Sequence, residues 1–467
     1  MNNWRQRKPW SAADNLPTEQ CLPATLSWPH LMALGVGAIV GTGILTLIGV
    51  GAAKAGPGVI LAFVIAGAIC ACAALAYAEM ATLMPATGGA YTYAYIVIGE
   101  WAAWLVGWSL ILEYSLVVSA VAVGWSGYAA PLLQEGLGVP MQLMQGPELG
   151  GLINLPAIFI ILVVTMLLLI GTKESASVNA LLVVVKLTAL LVFIAVVLPL
   201  FQAEHFQPFM PFGFIKTLGA DGVERGVMAA AAIIFFAFYG FDAIATAAEE
   251  TRNPDRDLAL GIVGSMLICV AIYVAVAVAA LGALDYRRFA DSPEPLALIL
   301  RELGKPNAAR WLAASAVIAL PTVVLAFFYG QSRIFFAMAR DGLLPRGLAK
   351  VSPRGTPVRT SVFTAVIVSL IAGVFPLADI AALANAGTLL AFCVVAVCML
   401  LLRHQQPEMP RKFSAPFVWI TGPVAIMGCL YLFISLPSTT QLYFLIWNLI
   451  GFAVYGLYRL RQPALHG

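Results

Sequence analysis

Long apolar runs separated by short polar stretches make up most of the chain. A helix needs about 20 consecutive apolar residues to cross the hydrocarbon core of a bilayer. Twelve runs of roughly that length can be read along the 467 residues, and the ninth is the shortest. The pattern predicts an all-α polytopic membrane protein with 12 transmembrane helices. The predicted spans are Ser27–Lys54, Gly58–Met84, Glu100–Leu133, Leu152–Gly171, Val178–Phe201, Gly226–Glu249, Leu258–Leu284, Arg310–Ala339, Thr360–Phe375, Asp379–Leu402, Phe417–Leu436 and Gln441–Leu460.

The composition leaves no room for a soluble domain. Hydrophobic residues account for 61% of the chain and charged residues for 10%, whereas soluble domains carry about 25% charged residues. The loops are all shorter than an independently folding domain. We therefore expect one membrane domain with a core of spans 1 to 10 (27–402), followed by spans 11 and 12 (403–460). A cytoplasmic N-terminal segment (1–26) and a cytoplasmic C-terminal tail (461–467) flank these spans.

The distribution of basic residues predicts the orientation. With both termini inside, the inside loops hold about twice as many Lys and Arg residues as the outside loops, as cytoplasmic loops do. The loop Asp285–Arg310 is the exception, since its basic residues alternate with acidic ones. The polar, basic N-terminus is not followed by a small-residue cleavage site, which argues against a signal peptide. We expect both termini to be cytoplasmic.

Several kinds of chemistry lack the residues they need. The 7 cysteines are scattered without disulfide or zinc-ligand spacing, and the 4 histidines form no metal-site pattern. No nucleophile–base pair is apparent within the spans. We therefore expect no catalytic residues, no metal, no cofactor and no nucleic-acid partner.

The loop Pro85–Gly99 is aromatic and uncharged, and it is too polar to cross a membrane. We interpret it as an interfacial or short re-entrant helix on the cytoplasmic side.

Two predicted spans contain glycines near their middle, and these spans are five apart. Gly41 and Gly43 flank one threonine in the first span, and Gly240 lies beside Asp242 in the sixth. Each glycine weakens a helix by about 1 kcal/mol. The alternative is close helix packing through small residues. The matching positions favour two broken helices that form a binding site.

A broken helix at mid-membrane exposes backbone groups that a ligand can use. Free N–H groups at the start of a half-helix suit a carboxylate, and free carbonyls at the end of the other half suit a cation. Transporters built from inverted repeats place such breaks together at the midplane. A zwitterion offers one charge to each half.

Four sequence motifs carry a resemblance to a known family. They are AIVGTGIL in the first span, AYAEMATLMPATGGAYTYAY after the second, FFAFYGFDAIATAAEETRNPDRDL across the sixth and GQSRIFFAMARDGLLP after the eighth. The chain resembles the amino acid–polyamine–organocation (APC) superfamily over essentially its whole length, most closely bacterial members of the cationic amino acid transporter family. The resemblance implies a five-plus-five inverted repeat of the leucine-transporter type with discontinuous helices 1 and 6. It also implies two extra C-terminal helices and location in a bacterial inner membrane.

The resemblance further implies which groups bind the substrate, with Gly41 and Gly240 providing the breaks. The amides that hold the substrate carboxylate are those of Thr42, Gly43 and Ile44. The carbonyls that hold its ammonium are those of Ile39, Phe236, Ala237 and Tyr239. The rings that flank or cap its side chain are those of Phe236 and Phe241.

Lys186 is a basic residue deep in the fifth span. Either its long stem snorkels to the interface, or the ammonium is buried beside the first span. Burial disfavours the charged form of a lysine and brings it into the range where it can exchange protons. Relatives with a lysine at the matching position are thought to couple transport to protons. Thr322 falls near the cation site of relatives, and Pro321 beside it departs from the family pattern.

Three acids complete the candidates, since charges within a membrane are functional hypotheses by default. Glu113 in the third span is a partner of Lys186, a second proton carrier or a structural acid. We expect Asp242 to cap the lower half-helix of the sixth span, with direct contact to the substrate as the alternative. Glu79, near the cytoplasmic end of the second span, joins an inner gate with an arginine such as Arg333.

The function predicted from these features is proton-coupled symport of neutral amino acids by alternating access. Its partners are then an amino acid, protons and the lipid bilayer. Transport of arginine, lysine or ornithine, and amino acid exchange, remain alternatives, and a non-transporting membrane sensor or structural protein is more remote. The sequence leaves open the substrate, the stoichiometry, the oligomeric state and whether a small membrane subunit binds the C-terminal helices.

Overall fold

The computed structural model describes residues 7–8, 26–85, 88–170, 176–246, 248, 251–345 and 358–461. Most of the described chain is helical, as its apolar runs predict. Its α-helices are α1 (Trp28–Ile39), α2 (Thr42–Leu45), α3 (Leu47–Ala55), α4 (Val59–Leu83), α5 (Ala90–Val97), α6 (Glu100–Leu137), α7 (Leu155–Ile170), α8 (Ala176–Val197), α9 (Val227–Ile234), α10 (Asp242–Thr246), α11 (Pro254–Ala283), α12 (Pro295–Glu302), α13 (Pro306–Arg340), α14 (Val358–Val374), α15 (Leu377–Gln405), α16 (Val418–Ser435) and α17 (Ser438–Arg461).

Each predicted span contains at least one of these helices. Among the described residues, 9 helical stretches are long and apolar enough to cross a bilayer. Three further apolar helices, Trp28–Ile39, Leu155–Ile170 and Thr360–Val374, are shorter. The structure thus agrees with a polytopic all-α membrane protein, while the count of 12 transmembrane helices stays a prediction.

The first predicted span consists of three helical pieces, and the chain reverses after the third. Gly56 has φ +60°, a backbone conformation that glycine tolerates. A Cβ atom added at Gly51 would lie 2.7 Å from Val59 Cγ2. Residues eight apart in a straight helix are about 12 Å apart along its axis. Hence α3 and α4 are separate helices that pack side by side.

The remaining short elements lie between the long helices. The helix predicted within Pro85–Gly99 is α5, and most of its side chains are buried. Two small antiparallel hairpins pair Met144–Gln145 with Ile153–Asn154 and Thr217–Leu218 with Glu224–Arg225. The hairpins and α12 were not predicted, because they are too short to leave a hydrophobic period.

The long helices pack in pairs, and α9 and α10 lie among several of them. Helix α4 lies along α11, α6 along α13 and α7 along α14. Helix α1 contacts α8 and α11, whereas α9 contacts α15 and α4. Helix α6 also contacts α15, and α13 contacts α8. Among the nine candidate spans of the described chain, Val227–Thr246 is the most buried. Of its apolar 18-residue stretch, 94% lies inside the protein.

Helix α17 lies at the periphery and is attached to α6 by tryptophans. The indoles of Trp108 and Trp447 stack with 4.7 Å between centroids. Trp108 donates to the carbonyl of Trp447 at 2.9 Å, and Trp447 donates to the carbonyl of Trp108 at 3.1 Å. These paired bonds satisfy both indole N–H groups, which a lipid-facing position would leave without partners.

Glu79 links α4 to the segment between α15 and α16. Its side chain is 1% exposed, and its carboxylate accepts from Arg403 Nε and Nη2, both at 2.8 Å. It also accepts from Arg411 Nε at 3.2 Å and from the backbone N–H of Ala415 at 2.8 Å. A buried carboxylate with this many donors is well compensated for its lost hydration.

The pairing of Glu79 with Arg333 that the sequence suggested is not found. Arg333 lies inside α13 rather than in a loop, and its guanidinium donates to the carbonyl of Thr246 at 3.3 Å. The arginines that reach Glu79 come from the C-terminal end of α15 and the turn that follows it.

We expect Glu79→Gln to lower stability by about 3–5 kcal/mol, because it leaves buried guanidinium groups without their carboxylate. The measurement is the apparent Tm of the purified protein in detergent. Lys412→Ala is the control, since Lys412 pairs with Asp255 where both side chains are more than half exposed, and its loss costs at most about 1 kcal/mol. Equal Tm shifts for the two variants would contradict the role of Glu79.

Candidate functional site

The first break lies between α1 and α2. Helix α1 ends at Ile39, Val40 and Gly41 are not helical, and α2 begins at Thr42. The first N–H groups of a helix have no acceptor within it. The amides of Thr42, Gly43 and Ile44 lie in this first turn of α2, and their binding of a substrate carboxylate stays a prediction.

The second break lies between α9 and α10. A 3-10 turn over Phe235–Ala237 follows α9, and helix resumes at Asp242. Gly240 has φ +123°, a conformation that residues with a side chain rarely adopt. Glycine is thus required at this turn.

The two breaks touch in a reciprocal manner. A Cβ atom added at Gly43 would lie 2.3 Å from Cα of Ala237, in the 3-10 turn of the second break. A Cβ atom added at Gly240 would lie 2.9 Å from the carbonyl carbon of Ala38, just before the first. Each glycine thus lets its half-helix approach the backbone of the other broken span.

Two buried hydroxyls beside the breaks lack partners. Thr42 is 1% exposed and Tyr239 is 2% exposed. Neither Thr42 Oγ1 nor the Tyr239 hydroxyl has a hydrogen-bond partner within the described residues. Buried hydroxyls in native proteins are usually paired, so both groups are available to a polar ligand.

Gly124 of α6 is a site residue that the sequence did not reveal. A Cβ atom there would lie 2.2 Å from Cγ2 of Thr42. The close approach positions Thr42 against α6. Among many glycines in apolar spans, the sequence gives no signal that distinguishes this one.

Two side chains satisfy the carbonyls at the end of α1. Tyr273 of α11 donates its hydroxyl to the carbonyl of Ile39 at 2.8 Å. Lys186 of α8 donates from Nζ to the carbonyl of Gly37 at 3.0 Å. The last carbonyls of a helix otherwise have no donor. Ile39, predicted to bind the substrate ammonium, therefore already accepts one hydrogen bond.

Lys186 does not snorkel. It is 5% exposed, and Nζ also donates to Thr322 Oγ1 of α13 at 3.2 Å. The ammonium therefore lies where α1, α8 and α13 meet, beside the first break. Pro321 lies within α13, which runs through it without interruption as a helix.

Asn385 of α15 makes the corresponding contact at the end of α9. Its Nδ2 donates to the carbonyl of Ala232 at 2.7 Å and to that of Ile233 at 3.2 Å. Asn385 is fully buried. A lone asparagine within an apolar span is itself a signal of a buried polar contact, but the sequence does not show what it contacts.

Asp242 lies at the first position of α10. Its Oδ1 accepts the backbone N–H of Gly240 at 3.0 Å, and its Oδ2 accepts the hydroxyl of Tyr114 at 2.8 Å. The carboxylate thus satisfies an amide at the start of the half-helix and fixes it to α6. Tyr114 was not identified from the sequence.

Glu113 and Lys186 do not form a pair. Glu113 is fully buried, and neither of its carboxylate oxygens has a hydrogen-bond partner in the part of the chain described. A Cβ atom added at Gly387 of α15 would lie 3.1 Å from Cβ of Glu113. Glu113 therefore faces α15, whereas Lys186 faces α1 and α13.

The two predicted pocket rings lie in different surroundings. Phe236 packs edge-on against Tyr239, with 5.0 Å between centroids. Phe241 is enclosed by Tyr77 at 5.6 Å and Phe392 at 5.0 Å. Phe241 thus packs the second break against α4 and α15, whereas Phe236 lies beside Tyr239 within the break.

A small cavity adjoins the first break. Its volume is about 10 Å³, and its lining includes Val40, Leu45, Lys186 and Ser315. Such a volume holds about one water molecule, and no residue of the second break is among those that line it. Among the described residues, no group of three or more His, Cys, Asp or Glu side chains could hold a metal ion.

Comparison with known proteins gives a consistent result. The family described as "Amino acid permease" matches residues 26–456. The chain is 43% identical to the branched-chain amino acid permease BcaP of Bacillus subtilis over 96% of both chains. It is 38% identical to the methylthioribose transporter of Bacillus subtilis over the full length of both. It is 37% identical to the vacuolar cationic amino acid transporter 4 of Arabidopsis thaliana over 83% of this chain and 64% of that one.

We expect Gly43→Ala to force the two breaks apart, because its Cβ would clash with the Ala237 backbone. Overpacking of this kind costs about 1–3 kcal/mol, and we expect uptake to fall at least about tenfold. Gly136→Ala is the control, since nothing lies within 4 Å of a Cβ atom there. Uptake per inserted molecule, measured in membrane vesicles, checks this. Unchanged uptake by Gly43→Ala would exclude a role for the contact.

Proposed function

The chain belongs to the amino acid permease family, and we propose that it carries neutral, branched-chain amino acids inward together with protons. In this proposal, ten helices form a five-plus-five inverted repeat of the leucine-transporter type. The two broken helices bind the substrate, and transport proceeds by alternating access.

The helix contacts support the inverted repeat. When the helices are numbered by predicted span, α1–α3 form span 1 and α9–α10 form span 6. Helix α8 is then span 5, and α15 is span 10. The contact of α1 with α8 then corresponds to that of α9 with α15. The contact of α1 with α11 corresponds to that of α9 with α4, and the contact of α6 with α15 to that of α13 with α8. An inverted repeat requires such matched contacts.

The observation that carries proton coupling is the position of Lys186. Its ammonium lies at the C-terminal end of α1, where the negative end of the helix dipole favours a cation. Burial opposes the charge. In this proposal Lys186 releases its proton during the cycle, and release weakens the contact with Gly37. The first half of the broken helix then loses an attachment to α8.

Proton exchange and movement of α1 are linked in this mechanism. While Lys186 is charged, α1 is held against α8 and α13. Once neutral, the amine is a weaker donor, and α1 can separate from them. A substrate that binds at the start of α2 meets the same broken span, so substrate and proton act on one element.

The substrate class follows from the zwitterion and from the surroundings. The amides that begin α2 suit a carboxylate, and the carbonyls before Gly240 suit an ammonium. The nearby rings of Phe236 and Tyr239 suit an apolar side chain. The 43% identity with a protein named as a branched-chain amino acid permease supports leucine, isoleucine or valine.

One observation favours a cationic substrate instead. Glu113 is a fully buried acid on α6, next to Tyr114, whose hydroxyl donates to Asp242 at the second break. A basic side chain that reached it would gain an ion pair. Relatives named as cationic amino acid transporters make this the second candidate.

The decisive experiment is uptake into proteoliposomes with an imposed inward proton gradient. Radiolabelled leucine, isoleucine, valine, arginine and lysine are tested, with methylthioribose as a competitor. We expect leucine to accumulate with the gradient. We expect Lys186→Ala to lose accumulation but to retain exchange against internal leucine, since only coupling is removed.

Two controls accompany this experiment. Lys216→Ala removes a lysine that pairs with Glu224 in a hairpin outside the spans, and it should accumulate leucine as the wild type does. Lys186→Arg keeps a charge that proteins do not deprotonate, and it should also fail to accumulate. A sodium requirement, or gradient-driven accumulation by Lys186→Ala, would refute proton coupling through this lysine.

Glu113→Gln separates the two substrate classes. If the substrate is neutral, the KM for leucine should change by less than about threefold, because the amide keeps the shape of the side chain. If Glu113 binds a basic side chain, arginine uptake should fall by about 30-fold or more, as expected when a buried ion pair loses one partner. Uptake of labelled leucine gives the KM for leucine, and uptake of labelled arginine gives the change in arginine transport.

A further inference from the structure

Both broken helices are held by a side chain from the fifth helix of their own repeat. In the first repeat, Lys186 of α8 donates to Gly37, two residues before the end of α1 at Ile39. In the second repeat, Asn385 of α15 donates to Ala232, two residues before the end of α9 at Ile234. The two donors thus reach the same carbonyl position in the two half-helices.

We propose that Asn385 is the counterpart of Lys186 and is a positioning residue for transport, holding α9 to α15 throughout the cycle. This inference rests on the proposed function, in which Lys186 exchanges the proton. An amide has no proton to release at working pH, so its contact persists while that of Lys186 can open.

The chemistry at α9 fixes the orientation of the amide. The carbonyls of Ala232 and Ile233 can only accept hydrogen bonds, so the NH2 group of Asn385 must face them. One NH2 group donates to both, at 2.7 Å and 3.2 Å. The amide thereby donates to two carbonyls in the last turn of α9, where the 3-10 turn interrupts the α-helical hydrogen bonds.

The difference between the two donors makes the broken helices unequal. In an inverted repeat, α1 and α9 lie on opposite sides of the membrane midplane. Protonation then controls movement of α1 on one side only, while α9 moves together with α15. The side on which α1 lies is therefore the side whose opening depends on the proton.

Several titratable groups surround this contact and bear on any pH test. Glu113 of α6 lies against Gly387, two residues from Asn385. Tyr77 of α4 contacts Phe392 of α15, and Tyr239 and Asp242 occupy the second break. Helix α9 itself contributes none. Because their titration affects wild type and variants alike, rates are compared as ratios to wild type at each pH.

Two substitutions separate a hydrogen-bond role from a packing role. Asn385→Ala removes the donor. Asn385→Asp keeps the shape and can donate only while its carboxyl group is protonated, a form that burial favours. Asn448→Ala is the matched control, because Asn448 is a buried asparagine that donates to the carbonyl of Phe444 on peripheral α17.

The readout is kcat/KM for leucine exchange in proteoliposomes with equal pH on both sides, from about pH 6 to pH 9. Exchange needs no net proton movement, so the test stands even if wild type shows no proton-driven accumulation. That outcome would refute the proposed coupling by Lys186 and not the contact made by Asn385.

We expect Asn385→Ala to lower kcat/KM about tenfold at every pH, as loss of a buried hydrogen bond does. Asn385→Asp should approach wild type at the acidic end and fall toward the alanine variant as pH rises. Asn448→Ala should stay within about twofold of wild type. The proposal is overturned if Asn385→Ala matches Asn448→Ala, or if the folded Asn385→Asp protein shows no pH-dependent ratio to wild type.

Discussion

A backbone carbonyl or amide inside a membrane must find a partner within the protein, and the two broken helices depend on that constraint. At the end of α1, Tyr273 and Lys186 supply donors to the freed carbonyls. At the end of α9, Asn385 does so. At the start of α10, Asp242 accepts the amide of Gly240. Without such partners each exposed group costs several kcal/mol in lipid, so the neighbouring helices are arranged to deliver them.

The start of α2 is the one half-helix terminus at which side-chain partners are not seen in the described structure. Gly43 of α2 lies against Ala237 of the second break, beside a Thr42 hydroxyl that lacks a partner among the described residues. In the function proposed above, the substrate carboxylate is the group that satisfies the first amides of α2 and this hydroxyl together, and its binding is comparable to the capping of a helix. The same constraint that places Asn385 and Lys186 therefore leaves one terminus for the ligand. Binding and fold stability are consequently linked at this point.

The sequence predicted the elements better than their partners. Hydropathy located the helices, because bilayer thickness fixes their length, and paired glycines located both breaks. It did not predict that Glu79 contacts Arg403 and Arg411, since arginines more than 300 residues away give no local signal. Asn385 was visible as a polar residue in an apolar run, but its acceptors lie 152 and 153 residues earlier. Contacts between distant helices are fixed by packing, which single-sequence periodicity does not report.

The contact between the breaks also constrains how the binding space can form. Gly43 packs on the backbone of Ala237, and the adjoining cavity admits about one water molecule. An amino acid must therefore separate α2 from the 3-10 turn after α9 before it can use their free groups. If Asn385 holds α9 in place, the separation has to come from the first broken helix. Among the contacts described, two side chains donate to the end of that helix, Lys186 and Tyr273. Of these, Lys186 is the one that carries a positive charge and can lose it by releasing a proton. In the proposed mechanism, substrate entry and proton exchange therefore both require the hydrogen bond from Lys186 to the carbonyl of Gly37 to open.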